Sequence, residues 1–289
     1  MQLSASELIL NADNSIYHLN ILPEDLAPTV ITVGDPDRVG EVSRYFDTIE
    51  VKKGKREFKT HTGTLQGKRI SVISTGIGAD NIDIVFNELD ALVNIDFSTR
   101  TIKQKKTSLD IIRIGTSGAI QAHIPIDSFL LSEDAIGFDN LLHFYDSETI
   151  QNSTIQEAFI KHTNWYNKKS HPYVVSYNSE LAAKIKSSTV INGFTATNVG
   201  FYGPQGRKLR LATQDPDLND KLASFQYNSK FITNLEMETS AIYGLSLLLG
   251  HRAISMNSIV ANRATGQFSS DPAKAVNRLI RYTLEKLVV

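Results

Sequence analysis

The chain of 289 residues contains no cysteine. Disulfides, thiolate metal sites and cysteine nucleophiles are excluded, and a reducing, cytoplasmic setting is expected. A charge excess is also lacking: 30 basic residues stand against 31 acidic ones, a formal net charge of -1. Without a broad cationic field, neither nucleic acid nor an anionic membrane is the expected partner, and a small molecule is. No apolar run approaches the ~18 residues of a membrane span, and the segment Met1 to Glu7 shows no basic region followed by an apolar core. What is present suffices for a core. Hydrophobic residues make up 41% of the chain, and no internal repeat, linker or clear boundary divides it, so one domain over residues 1–289 is expected.

Short β-branched runs alternate with helical patterns. Val30 to Val33, Ile70 to Ser74, Ile111 to Ile114, Phe129 to Ser132 and Ile254 to Val260 read as buried strands. Helices are expected after Asp35-Pro36, over Ala79 to Leu92, over Thr239 to Leu249, and from Asp271-Pro272 to Val288. This alternation predicts an α/β fold with a largely parallel or mixed sheet and ligands gathered at strand ends. Two stretches break the rhythm. Asn94 to Ser108 is polar and Lys-rich and reads as a solvated surface excursion. Asp139 to Thr189 carries His143, His162, Trp165 and His171, but without the short spacing of metal ligands.

Several constellations could carry chemistry. Gly34-Asp35-Pro36-Asp37-Arg38 puts a strand-end glycine before a helix whose first turn holds an arginine. That is either a capped structural turn or an oxyanion site made of backbone N–H groups, helix dipole and guanidinium. Arg113 lies in the apolar run Ile111 to Ile114, just before Gly115-Thr116-Ser117-Gly118. A buried charge needs a partner, and a carboxylate or a bound phosphate would serve. Thr75-Gly76-Ile77-Gly78 lacks the spacing and lysine of nucleotide loops and reads as tight helix–strand packing. Glu236 and Glu238 flank Met237 beside an apolar helical pattern. They serve either the helix macrodipole or sugar hydroxyls, which would supply the donors that buried carboxylates require. Phe201 to Arg207 offers an aromatic face, an amide and a guanidinium on a Gly/Pro-punctuated loop, suited to a planar heterocycle.

These segments, together with Tyr17-His18-Leu19, Arg56-Glu57-Phe58 and Arg113 to Ile120, occur in one order over most of the chain. In that order the chain resembles the nucleoside phosphorylase family, on its uridine-cleaving side. The resemblance implies a three-layer α/β fold with a mixed, partly barrel-like central sheet flanked by helices. It also implies reversible cleavage of uridine by inorganic phosphate, the co-substrate, to uracil and ribose 1-phosphate, with no cofactor and no metal required. Matched by position, Gly34, Arg38, Arg113 and Thr116 would hold phosphate, joined by Arg56 of a neighbouring subunit. Glu236, Met237 and Glu238 would bind ribose, with His18 lent by the neighbour to the 5′-hydroxyl. Phe201, Gln205 and Arg207 would hold the base, in a homodimer or a hexamer of dimers with shared sites. Glu57, Ile70 and Ser74 match a monovalent-cation site. The chain departs from the family pattern at Gly203-Pro204, where bacterial relatives read Pro-Gly, at Ser117, where threonine is frequent, and in the added lengths at 94–108 and 139–189.

The implied mechanism needs a partner for each charge that develops. Phosphate held by Arg38, Arg56 and Arg113 would face the cationic sugar, with Glu238 gripping it, while Gln205 and Arg207 would stabilise the departing base. Purine-cleaving relatives place an aspartate near the end of a late strand, and Ile259 to Ala264 holds none; this disfavours a purine nucleoside phosphorylase. A hydrolase of the same fold would dispense with the arginines. A non-enzymatic nucleoside-binding relative would keep Gln205 and Glu238 while losing the phosphate residues.

Overall fold

The structure, a computed structural model, describes residues 2–288, so Met1 at the head of the opening segment lies outside it. The strands in chain order begin with Thr29–Val33 (β1), Thr48–Lys55 (β2), Phe58–Leu65 (β3), Lys68–Ser74 (β4), Ile95–Asp96 (β5), Thr101–Ile102 (β6) and Asp110–Ala119 (β7). They continue with Phe129–Gly137 (β8), Tyr173–Ser176 (β9), Val190–Thr197 (β10), Gln226–Tyr227 (β11), Lys230–Glu236 (β12), Arg252–Asn262 (β13) and Gln267–Phe268 (β14). The helices are Pro36–Ser43 (α1), Ala79–Asn94 (α2), Ser153–Thr163 (α3), Ser179–Ile185 (α4), Leu218–Ser224 (α5), Thr239–Leu249 (α6) and Pro272–Leu287 (α7). Each expected strand and helix forms. Helix α1 starts where Asp-Pro predicts, since the Asp35 side chain accepts the Asp37 N–H and Pro36 opens the first turn.

The main sheet runs β11-β12-β10-β8-β13-β7-β1-β4-β3-β2. Its centre is parallel through β13, β7, β1 and β4, and its margin through β3 and β2 is antiparallel. Strand β12 pairs with β10 and also meets β7, at Asn234 with Ala119 and Leu235 with Gly118. Through β12, β10, β8, β13 and β7 the sheet therefore curls back on itself, the partly barrel-like form expected, while the β4-β3-β2 wing stays open.

Alternation along the strands makes three layers. In β1, Val30 joins the core with α2 and α6, while Ile31 and Val33 join the core with α1, α4 and α7. Helix α7 buries Ala275, Val276, Leu279, Ile280, Thr283, Leu284 and Leu287, a one-sided stripe at helical spacing. Helix α6 is buried from Thr239 through Ser246 because it is enclosed between α2 and the sheet. Each fully buried Leu or Ile stabilises the fold by about 1.5–3 kcal/mol.

The two irregular stretches are less independent than their composition suggests. The hairpin β5–β6 is mostly outward-facing, yet Arg100 donates from its guanidinium to the carbonyls of Leu3, Ser4 and Leu8 and so clasps the N-terminal segment. The later stretch supplies β9 to the sheet edge and two covering helices. Its histidines serve separate local bonds: His143 donates to the His171 carbonyl, His171 pairs with Gln156, and His162 meets Ser224. Among the described residues, no helix is long and apolar enough to cross a membrane.

Candidate active site

A cleft of about 660 Å³ opens at the carboxyl ends of β1, β4, β7, β12 and β13, closed on one side by the loop after β10. Gly34, Arg38, Arg113, Thr116, Phe201, Gln205, Arg207, Glu236, Met237 and Glu238 all line it. Ten residues singled out from distant parts of the sequence thus meet in one place.

Arg113 is buried on β7. Its Nη2 donates to Glu238 Oε2 at 2.6 Å and lies 3.2 Å from Glu236 Oε2, while Nη1 donates to Asn257 Oδ1 at 2.9 Å. Burial alone would lower its pKa, but the charges of Glu236 and Glu238 outweigh that and raise it. The guanidinium folds back over Gly115, where a Cβ would stand 2.0 Å from Nη1, so a side chain two residues along the strand would push the guanidinium out of this position. Of the two partners open to Arg113, the structure supplies the carboxylate. Arg38, in the first turn of α1, is less committed: Nη1 makes one long bond of 3.4 Å to the Ile114 carbonyl. Burial, then the charge of Arg113, pushes its pKa down. Two guanidiniums repelling across a cleft is an arrangement that an anion between them relieves.

The carboxylates differ from the sequence expectation in one respect. Glu236 Oε1 accepts the Thr197 hydroxyl at 2.6 Å, and Oε2 accepts the N–H groups of Glu238 and Thr239, each at 2.9 Å. The protein itself provides the donors that sugar hydroxyls were expected to supply, and Glu236 caps the first amides of α6. Glu238 is more open to the cleft. Its Oε1 accepts the Gly78 N–H at 2.8 Å and its Oε2 the Arg113 guanidinium. Burial first, then the charge of Glu236, raises the Glu238 pKa against the pull of Arg113. The turn Thr75 to Gly78 therefore does more than pack. Gly78, at φ +95°, aims its N–H at a site carboxylate, and Gly76 and Ile77 line the cleft.

The loop after β10 is built differently. Gly203–Gln205 forms a single 3-10 turn, Gly206 adopts φ +69°, and the Arg207 N–H closes the loop on the Tyr202 carbonyl at 2.8 Å. Arg207 Nη1 donates to the Phe201 carbonyl and to Gln205 Oε1, each at 2.6 Å, and its guanidinium carbon lies 3.7 Å from the Phe201 ring centroid. With Gln205 Oε1 so engaged, its amide N–H₂ is the end left to meet a carbonyl on a ligand. Arg263, which sequence reasoning passed over, donates to the Gln205 carbonyl at 2.7 Å. Burial, then the charge of Arg263, lowers the Arg207 pKa. An arginine at the end of β13, the strand edge where an acid was sought, was the available signal.

Three groups of expected residues fall outside this arrangement. Arg56 is exposed at the β2–β3 turn, and His18 pairs with Glu88. Lys55 Nζ donates to the Tyr17 carbonyl at 2.7 Å, which puts His18 and Arg56 on one surface, and neither lines the cleft of its own chain. The cation group is corrected. Ser74 Oγ donates to the Glu57 carbonyl at 2.5 Å and accepts the Lys59 N–H at 2.7 Å. Ile70 lies four residues earlier on the same strand, about 13 Å away, so no single ion reaches both. Only Glu57 of the three lines the cleft.

The family model described as "Phosphorylase superfamily" matches residues 28–288. A uridine phosphorylase of Thermococcus kodakarensis is 30% identical over 263 residues, covering 87% of this chain and 79% of that protein. A uridine phosphorylase of Haemophilus influenzae is 28% identical, covering 95% of each chain. Among solved structures, a Trypanosoma brucei nucleoside phosphorylase described as showing uridine phosphorylase activity superposes with a TM-score of 0.87 at 30% identity, over 97% of this chain and 99% of that one.

Proposed function

The chain belongs to the phosphorylase superfamily, and on that premise we propose that it is a pentosyltransferase that cleaves uridine reversibly with phosphate, giving uracil and ribose 1-phosphate. The observation that carries this reading is the pairing of two guanidiniums, Arg38 and Arg113, with Glu238 on one side of the cleft and an amide–guanidinium loop on the other. Phosphate enters between Arg38 and Arg113, against the N-terminus of α1 at Gly34 and near Thr116, where it relieves their repulsion. Glu238 and Met237 hold the ribose, and Glu236 keeps Glu238 and Arg113 in place. As the glycosidic bond lengthens, positive charge grows on the sugar beside the phosphate, and negative charge grows on the base beside Gln205 and Arg207. Phe201 carries the ring. The phosphate oxygen bonds C1′ as the base leaves with the bonding pair, so no cofactor is called upon.

Arg263 bears on the base. A half-buried guanidinium next to Gln205 and Arg207 favours a leaving group whose charge rests on carbonyl oxygens, as in uracil, over a purine that must be protonated. The borrowed residues bear on assembly. His18 and Arg56 share a surface away from their own cleft, so the site is completed by a second copy in a dimer or a hexamer of dimers.

Absorbance-followed cleavage of uridine and inosine, each with and without phosphate, tests the reading. Uridine is consumed only with phosphate, and at least ~10-fold faster than inosine or cytidine. Phosphate-independent cleavage makes the protein a hydrolase, preferred inosine cleavage makes it a purine enzyme, and binding without turnover makes it a nucleoside carrier.

A further inference from the structure

Glu88 projects from the third turn of α2 toward the segment that carries His18. One carboxylate gathers three groups: the His18 N–H at 3.0 and 3.1 Å from its two oxygens, the Leu19 N–H at 2.8 Å, and the His18 ring through Nδ1 at 2.6 Å. An ionised carboxylate only accepts, so Nδ1 carries the proton and Nε2 is the end the ring presents. Nε2 has no partner among the described residues, and the side chain keeps 25% of its surface exposed. Two aromatic edges fix the ring plane, with Tyr17 at 4.8 Å and the buried Phe58 at 6.1 Å between centroids. Tying the segment down would take only the two amides. The ring contact adds a defined tautomer and direction, which matter only if Nε2 meets something.

We propose that Glu88 is a positioning residue for the 5′-hydroxyl subsite of the neighbouring subunit, acting by locking His18 with Nδ1 protonated and Nε2 outward. This rests on the reading of His18 as a residue lent to the neighbour. It gives α2 two duties about 15 Å apart along one helix. At its start Gly78 holds Glu238 in the chain's own cleft, and at Glu88 it aims His18 at the next cleft.

The test compares kcat/KM for uridine and 5′-deoxyuridine, which lacks the hydroxyl, in the wild type, His18→Ala and Glu88→Gln. Glutamine retains an acceptor for the backbone amides but no longer enforces the tautomer. Glu88→Gln is expected to lower kcat/KM for uridine about 10-fold, mainly through KM, and to leave 5′-deoxyuridine nearly unchanged. Its ratio between the two substrates then matches that of His18→Ala. If His18→Ala collapses the ratio and Glu88→Gln leaves it intact, or lowers both substrates equally, Glu88 is only a structural tie and the proposal is wrong. If His18→Ala itself leaves the ratio unchanged, the reading of His18 fails and takes the proposal with it. Should Glu88→Gln not fold, ring ¹⁵N spectra of the wild type decide, with His18 identified by its loss in His18→Ala: protonation at Nδ1 supports the lock, and a neutral ring protonated at Nε2 alone overturns it.

Discussion

The two halves of the cleft are made by different means. Arg113, Glu236 and Glu238 sit at strand and helix ends, at most 7% exposed, and each is held by several partners. Phe201, 51% exposed, and Arg207 hang on an irregular loop whose contacts are mostly with itself. Buried charge cannot be left unpaired, so in the first half the groups proposed to do the chemistry are also those that hold the fold. In the second half, chemistry and stability are separable.

Arg113→Ala tests that difference most severely. It removes the partner of two buried carboxylates and is expected to destabilise the protein by about 3–5 kcal/mol, while turnover falls more than ~100-fold. Denaturant melts and steady-state rates measure the two. The sign with pH follows from Glu238, whose pKa is already raised by burial and by Glu236. Stability from a raised carboxyl is fully present below the ordinary carboxylate range and is lost as pH rises through the raised value. Without Arg113 that rise is larger, so the deficit shrinks toward acid pH. A variant that loses turnover but keeps its stability would break the comparison.

Much of the first half was legible before the fold was known, because an arginine inside Ile111 to Ile114 and two glutamates at the edge of an apolar helix each require a partner. Which partner they take was not legible. Arg113 meets Glu238 across 125 residues of sequence, and only the curl that brings β12 back to β7 makes them neighbours. The partners Thr197, Asn257 and Gly78 were hidden for the same reason: a threonine at a strand end or a glycine in a turn has many uses, and position alone selects one. The loop was read more fully, since Phe201, Gln205 and Arg207 work within seven residues of each other. Arg263, arriving from β13, was the part of it that local reading could not supply.

Arg207→Ala probes the second half. It frees the Phe201 carbonyl, the Gln205 amide and the face of the Phe201 ring together. Charged hydrogen bonds of this kind contribute about 1.5–3 kcal/mol, so kcat/KM for uridine is expected to fall roughly 10–100-fold. The melting transition should stay close to that of the wild type, because little of the core rests on this loop. A large loss of stability would show that the loop is a structural element after all.

The smallest effect is the sharpest discriminator. Thr197 is fully buried; its hydroxyl donates to Glu236 Oε1 at 2.6 Å and accepts the Ser240 N–H at 3.0 Å. Thr197→Val keeps the shape and removes both bonds, leaving a carboxylate oxygen and an amide unsatisfied at a cost of about 1–3 kcal/mol. Glu236 remains gripped by the Glu238 and Thr239 amides and by Arg113. If it is scaffolding, kcat/KM falls less than ~10-fold, a smaller loss than for Arg207→Ala, although the loss of stability is larger. If turnover drops further than in Arg207→Ala, Glu236 touches the sugar directly. The strand-end half would then contain two ribose carboxylates, and Thr197 would be tuning one of them.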